Sequence, residues 1–583
     1  MKPARPYRLR AAKLCSADNR RIMTRGIPTV QSAVQLVGAD RMQLNRAKAV
    51  PSPGPYQILA RVEAVGLCFS DLKLLKQFDS HPRKGPVISG IDEKILPEIP
   101  SYRPGSRPTV PGHETLCTIV AVGKKVSHHH LGQRVLVQAD YRWLKTAGAN
   151  AAFGYNFEGA LQQYVLFDER VIVEPQSGES FLLPVEEEQF SASSIALVEP
   201  WACVESSYAS RERSEILSGG KLLVVADRER RIEGLIESLS PDGEPAAIYA
   251  CCQSDDQYQG LGNLRTKIIR VSDLRSLPDE ALDDIVYYGC DAASIELLND
   301  KLSAGGIINI VLANRRIGRK VNIGLGRVHY SLTRWIGTTS SDASRSYRNI
   351  PETGEIRPTE KVLIIGAAGP MGQMHTIRLL CSGTEGISVT AVDVDDQRLE
   401  SLRHKTAAVA DADKVRLTLL NTERETARGR FSYFAIMVPV GALVAKAVRD
   451  SAEGALINLF AGIPAAVKQK LDLDRYIENR CFMFGTSGSR LSDMKIVLQK
   501  VLSGRFDTDW SVDAVSGMAG AIDGIRAVEN RATAGKIIVY PQLQRLQLVY
   551  LSALAERYPS VAGKLNEGMW CKEAEDELLR ATK

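Results

Sequence analysis

The sequence predicts a mixed β plus α/β protein: a barrel-like β region, then two successive doubly wound α/β regions. Three observations predict it. Between Val30 and about Val173 the chain consists of short alternating runs broken by Gly and Pro, such as "YQILARVEAVG", "CTIVAVG" and "GQRVLVQAD", the texture of half-buried antiparallel strands. At Lys221 it changes to short, fully apolar runs separated by helical stretches, as expected of parallel strands covered on both faces. These runs then come twice in the same order: "KLLVVAD", "PAAIYAC", "DDIVYYG", "GGIINIVLA" and "LTRWIGTTS" are followed by "KVLIIGA", "SVTAVDV", "FSYFAIMVP", "EGALINLFAG" and "NRCFMFGTSG".

The bulk numbers fit an intracellular, cytoplasmic protein of several domains. The 583 residues are 44% hydrophobic and 24% charged, and no apolar run approaches the roughly 18 to 20 residues of a membrane span. The formal charge of +6 comes from the first 25 residues, where Lys2, Arg5, Arg8, Arg10, Lys13, Arg20, Arg21 and Arg25 face only Asp18. The rest is close to neutral, which argues against nucleic acid as a partner. Ten scattered cysteines without a CxxC pair fit neither a disulfide framework nor a zinc ribbon. The expected organisation is a basic arm over 1–28, a β-rich domain over 29–215 completed by 505–541, α/β regions over 216–350 and 358–504, and a helical extension over 542–583.

The two α/β regions match in spacing as well as order. Asn309 to Gly337 is 28 residues and Asn458 to Gly485 is 27, each joining an "IN" run to a "GT" run, so the pattern reads as a tandem duplication. Only the second region has a phosphate loop. In "VLIIGAAGPMGQMH" an apolar strand runs into Gly366, Gly369, Pro370, Met371 and Gly372 and opens a helix, with Asp393 following 27 residues after Gly366. Glycines let the backbone approach a pyrophosphate, the helix start favours its charge, and an acid at the next strand end can bond a ribose hydroxyl. Asp393 favours NAD; Arg398 nearby keeps NADP open. The facing positions in the first region are Ala226, Glu229 and Ile232, side chains where a bare backbone is needed, with an acid against the phosphate charge.

In the β-rich region, "EAVGLCFSDLKLL" carries Cys68, Ser70 and Asp71, and "TVPGHETLCTIVAVG" carries His113 and Glu114. Cysteine, histidine and carboxylate are the donor set of a zinc site with three protein ligands and one open position. Together with Val122–Val135, Gly159–Val165 and Ala196–Pro200, these stretches resemble the medium-chain dehydrogenase/reductase family, in particular its zinc-dependent alcohol and polyol dehydrogenases. The resemblance covers about residues 29 to 220 and 358 to 541. It implies a GroES-like catalytic domain and a Rossmann-type nucleotide domain. It further implies zinc ligation by Cys68 and His113 with Glu114 or Glu199 as the third ligand, a proton path through Ser70, and Asp71 as an orienting acid. Which glutamate binds directly is left open.

Three departures accompany the resemblance. The stretch "QADYRWLKTAGANAAFGYNFEG" has no cysteine, so one catalytic zinc and no structural zinc is expected. "GAAGPMG" is one residue longer than the family's usual loop and partly resembles that of zinc-free quinone reductases. The first α/β region and the C-terminal extension have no counterpart in the ordinary fold. "SHHHLG" at His128 to His130 reads as a surface loop rather than a metal site, and Cys251 and Cys252 as core packing.

The expected function is hydride transfer between NAD(H) and an alcohol, polyol or sugar-derived substrate. The alternatives are a zinc-free quinone- or enoyl-type reductase, or a non-catalytic dinucleotide-sensing or scaffold protein. The two α/β regions are expected to pack as an internal pseudo-dimer through the strands near "LTRWIGTTS" and "RCFMFGTSG", with one active site per chain, in the cleft between the second region and the catalytic domain. No membrane partner is expected, and assembly into a homo-oligomer is left open.

Overall fold

A computed structural model describes residues 26–413 and 415–582; the basic arm therefore lies, up to Arg25, outside the described residues. The chain divides into two compact units. The first comprises the described residues up to Val65, then Lys73–Glu187 and Tyr540–Gln544; the second comprises Gly66–Leu72, Glu188–Val539 and Arg545 onward. Among the described residues no helix is long and apolar enough to cross a membrane.

The first unit is β structure. β1 (Val30–Gly38) and β2 (Arg41–Ala49) form an antiparallel hairpin whose tight turn places Asp40 at a φ of +55°, a conformation that Asp tolerates better than most residues. β3 (Gln57–Gly66), β4 (Glu114–Val122), β5 (Arg134–Val137), β8 (Tyr164–Asp168) and β9 (Leu182–Pro184) pair in the order β8-β3-β4-β5-β9, while β6 (Asp140–Lys145) and β7 (Asn150–Ala152) make a separate ribbon. Along β4 burial is complete for four residues and then alternates, as in a strand that starts inside and ends with one wet face. Leu59, Ala121, Tyr164 and Leu166 pack together as one of this unit's cores.

The second unit is built on a twelve-stranded sheet. Its strands are β10 (Lys221–Ala226), β11 (Ala247–Cys252), β12 (Ile268–Arg270), β13 (Leu282–Tyr288), β14 (Leu302–Val311) and β16 (Arg334–Thr338), then β17 (Lys361–Ile365), β18 (Ser388–Asp393), β19 (Arg416–Asn421), β20 (Phe431–Ile436), β21 (Ser451–Leu459) and β23 (Phe482–Phe484). They lie in the order β12-β11-β10-β13-β14-β16-β23-β21-β20-β17-β18-β19. Each half taken alone has the 3-2-1-4-5-6 order of a dinucleotide-binding sheet. Registers run in step: Leu222 pairs with Asp284 as Val362 pairs with Tyr433, and Asn309 with Ile336 as Asn458 with Phe484.

The halves meet antiparallel, Trp335 opposite Met483. A second antiparallel ribbon crosses the same border, β15 (Val321–Ile323) on β22 (Gln469–Leu471), with Asn322 opposite Lys470. Tyr476 ties the join, donating its hydroxyl proton to the carbonyl of Trp335 (2.8 Å) and accepting from the amide of Met483 (2.9 Å). A single hydrophobic core runs through both halves, from Leu223 and Ile308 to Ile457 and Met483. Away from the border the halves diverge. After β17 comes the eleven-residue helix Pro370–Leu380; after β10 no helix precedes β11, only a short 3-10 turn at Ile236–Ser238. This corrects the expectation that helices separate all the strands of the first region. The extension is also less helical than expected: it opens with β26 (Val549–Tyr550), antiparallel to β24 (Val512–Ser516), which in turn pairs with β25 (Lys536–Val539), before its short helices.

Candidate functional site

In the second unit a cavity of about 860 Å³ opens at the carboxyl ends of β17, β18 and β20, where open α/β sheets bind ligands. Gly366, Gly369, Pro370, Met371, Gly372, Asp393 and Arg398 all line it, and so does Cys68. Each glycine has its own reason. Gly366 sits at a φ of +80°, which a side chain would strain. A Cβ on Gly372 would lie 2.2 Å from the carbonyl oxygen of Gly366, so helix and strand pack backbone to backbone. A Cβ on Gly369 would meet nothing within 4 Å: the space above it is open. Pro370 takes the first helical position, where its missing N–H costs nothing, and the first-turn amides of Met371 and Gly372 have no intrahelical acceptor.

Asp393 locks this loop. Its Oδ2 accepts from the amide of Ala368 (2.9 Å) and its Oδ1 from the amide of Val394 (2.8 Å). Arg398 is tethered, donating to the carbonyl of Arg531 and lying 3.6 Å from Asp395. Thr422, Lys446 and Arg531 also line the cavity and were missed, because strand-end loops outside the first turn carry no fixed spacing.

The loop helix is anchored to the helix Val198–Ala209, which holds Glu199, buried, in its first turn. Arg378 pairs with Glu205 (3.1 Å) and Glu355 (2.6 Å), and Lys500 adds to Glu205 (2.7 Å). Burial would raise the Glu205 carboxyl, but Arg378 and Lys500 outweigh it and hold it below its ordinary value. His375 is fully buried, its Nδ1 2.8 Å from the Tyr208 hydroxyl, and burial with the nearby Arg378 pushes it down to about 3. On the Cys68 side of the cavity, Asp71 is buried and accepts from the Cys68 amide through Oδ2 (3.0 Å), while the Leu67 amide donates to the carbonyl of Ile537 (3.0 Å). Ser70 lies half-buried in the same turn.

In the first unit, His113 and Glu114 are both buried where β4 begins. Gly112 precedes them at a φ of +93°. The Pro111–Gly112 backbone is gripped by a second segment: Gly159 donates to the carbonyl of Val110 (2.7 Å), Ala160 to Gly112 (2.8 Å) and Leu161 to Pro111 (3.0 Å). A Cβ on Gly159 would stand 2.3 Å from the Gly112 oxygen, which is why glycine occurs there. Thr115, next to Glu114, donates its hydroxyl proton to the carbonyl of Ala64 (2.7 Å), and the chain reaches Cys68 four residues after Ala64. The histidine run is structural, but not wholly on the surface: His129 is buried, its Nε2 2.9 Å from the Ser180 hydroxyl. Glu169 beside it would be raised by burial, yet hydrogen bonds from His129, His128 and Ser127 hold it down at about 2. Cys251 and Cys252 are half-buried on β11, and Cys251 packs on the large core.

Comparison with known proteins fits this geometry. Residues 54–177 match the alcohol dehydrogenase GroES-like domain. The chain is 24% identical over 293 residues to the uncharacterized protein YggP of Escherichia coli (strain K12), covering 45% of this chain and 67% of that one. It is 31% identical over 134 residues to an alcohol dehydrogenase of Rhizobium meliloti (strain 1021), covering 20% and 32%. It is 27% identical over 153 residues to the uncharacterized zinc-type alcohol dehydrogenase-like protein YphC of Escherichia coli (strain K12), covering 24% and 39%. It thus spans about a third of the length of the latter two. Among solved structures, 2R,3R-butanediol dehydrogenase from Bacillus subtilis aligns with a TM-score of 0.49 at 13% identity, covering 88% of this chain and 99% of that one. Over its GroES-like stretch the chain is therefore similar to alcohol dehydrogenases and to a zinc-type alcohol dehydrogenase-like protein.

Proposed function

We propose that the protein is a zinc-dependent, NAD(H)-dependent oxidoreductase acting on an alcohol, polyol or sugar-derived substrate. The observation that carries this reading is the cavity that has the phosphate loop among its walls and Cys68 among them too: a dinucleotide site sharing its space with a candidate metal ligand. Cys68, His113 and Glu114 supply a thiolate, an imidazole and a carboxylate, a donor set that fits zinc. Glu199, buried on the anchored helix, is outside that group of three and is the alternative carboxylate of this reading. When bound, zinc would polarise the substrate oxygen and the nicotinamide would take up the hydride. The chain's own residues do the rest. Asp71 fixes the backbone at Cys68, the Gly159 segment fixes the turn before His113, and the Ser70 hydroxyl takes the substrate proton toward solvent. Asp393, with both oxygens held by backbone amides, favours the unphosphorylated ribose of NAD.

The two sheet halves are read as duplicated Rossmann-type domains, the first degenerate, forming an internal pseudo-dimer. Support comes from the paired registers: Trp335 and Met483 occupy the same place in their halves and face each other, and so do Asn322 and Lys470, as residues on a two-fold axis must. The first half lacks the loop and the helix that follows it. Its strand ends are filled instead: Asp227 accepts from the Tyr287 hydroxyl (3.0 Å), and a Cβ on Gly289 would lie 2.3 Å from the Tyr287 ring.

Metal analysis with an activity assay tests the reading. About one zinc per chain is expected, and Cys68→Ser is expected to lose both the zinc and NAD reduction by alcohols. Full activity in a zinc-free variant would contradict it and favour the metal-free reductase chemistry.

A further inference from the structure

In the first unit, the segment that runs from Lys73 toward His113 brings cations to the histidine. The Tyr155 ring is the meeting point. His113 lies with its ring centroid 5.9 Å from that of Tyr155, His81 lies 5.1 Å from it, and the Arg83 guanidinium sits 5.6 Å from the same centroid. The 3-10 turn Pro82–Lys84 sets this up: the Arg83 amide donates to His81 Nδ1 (3.2 Å), so imidazole and guanidinium leave the chain together.

Asp140 lies between Arg83 (3.6 Å) and Arg142 (3.3 Å), and Glu158 between Lys48 (2.9 Å) and Arg103 (4.0 Å), so cations approach one another around each carboxylate. Lys84, fully buried, donates to the main-chain carbonyls of Arg103 and Arg107. Burial, with Arg103 and Arg107, pushes it down to about 7, and His81 is pushed down to about 4 by burial and by the positive charges of Arg83 and Lys73. A half-buried place where cations crowd one another is one that an anion would stabilise.

We propose that His81 and Arg83, gathered on Tyr155 beside His113 with Lys73 close by, form an anion-recognition subsite, so that the alcohol the protein oxidises carries a phosphate or carboxylate group. The proposal rests on the oxidoreductase reading for the reaction, but not for the binding. The planar Arg83 guanidinium can hold either anion through two parallel hydrogen bonds, and exposed Lys73 adds a point charge.

The test compares glycerol, glycerol 3-phosphate and glycerate as substrates of the zinc-loaded protein, read as NADH absorbance, and separately measures binding of inorganic phosphate and of glycerate by calorimetry. The expected result is a kcat/KM at least about tenfold higher for one of the two anionic compounds than for glycerol, and which one it is separates phosphate from carboxylate recognition. Arg83→Ala is expected to bring that ratio close to one, with Lys73→Ala, a surface change that spares the fold, lowering it by a smaller factor. Equal kcat/KM for all three compounds, or a ratio that neither variant moves, would overturn the proposal. If no compound is oxidised, the oxidoreductase reading fails while the subsite is still judged by calorimetry. A heat of phosphate or glycerate binding that is lost in Arg83→Ala supports it, and the same heat in wild type and variant refutes it.

Discussion

The two halves of the twelve-stranded sheet agree along their common border and disagree at the strand ends. At the border each strand of one half has a partner in the other, and the helices Leu325–Tyr330 and Leu473–Glu478 are both six residues long. Close contacts fix the geometry on both sides: a Cβ on Gly326 would meet the Pro464 carbonyl at 2.0 Å, and one on Gly485 the Leu459 carbonyl at 2.8 Å. At the strand ends nothing corresponds. The second half keeps a glycine loop, an eleven-residue helix and an open cavity, whereas the first has Asp227, Tyr287 and a 3-10 turn. The difference teaches that packing and ligand binding constrain different parts of one fold. The half without the loop shares the same border.

The strongest way to break the comparison is at the border. Trp335 is fully buried in the shared core, and Trp335→Ala is expected to cost about 3–5 kcal/mol, with both halves losing structure in one transition during denaturant unfolding. Separate transitions would show that the halves are independent. Arg378 lies in the second half alone, and Arg378→Met would leave Glu205 buried against Lys500 only; a loss of similar size, about 3–5 kcal/mol, is expected, accompanied by weaker NADH binding because the loop helix loses its anchor.

A smaller effect is expected from Asp393→Ala, which releases the amides of Ala368 and Val394 from a carboxylate. NADH affinity in a fluorescence titration should fall by about 1.5–3 kcal/mol, ten- to a hundredfold. The pH dependence sharpens the same contrast. His375 has a folded value near 3 against about 6.5 unfolded, so the unfolded chain binds the proton first as pH falls. Its contribution is therefore complete above about pH 6.5 and is lost progressively toward pH 3. His375→Gln should flatten the stability profile in that window, as read by thermal melts. Least of all is expected from Glu229→Gly, which places a glycine in the segment after β10: with no helix behind it, no second NADH site should appear in calorimetry.

Much of this was legible in the sequence, for identifiable reasons. The period and order of apolar runs mark the strands, and the "IN" and "GT" runs fall at equivalent register positions in both halves because the border needs the same small and amide residues twice. Gly366 and Gly372 announce the loop because a side chain would strain the first and clash at the second, while Gly369 leaves the space above it open. The missing helix after β10 could not be read from "ADRERRIEGLIESL", whose charged and apolar residues suit a helix locally but meet the rest of the chain in another shape. The same limit hid Thr422, Lys446 and Arg531 in the cavity wall and the gathering of His81 and Arg83 on Tyr155. Those positions are brought together by tertiary packing and have no spacing of their own.

The central claim is that the chain has one working dinucleotide site and that it lies in the second half. Calorimetric titration of the full chain with NADH, wild type beside Gly369→Asp, tests it most directly, because position 369 is open to the cavity and a carboxylate there would repel the phosphates of the proposed dinucleotide. One site per chain in the wild type and none in the variant is the expected result; two sites, or binding that survives the substitution, would contradict it.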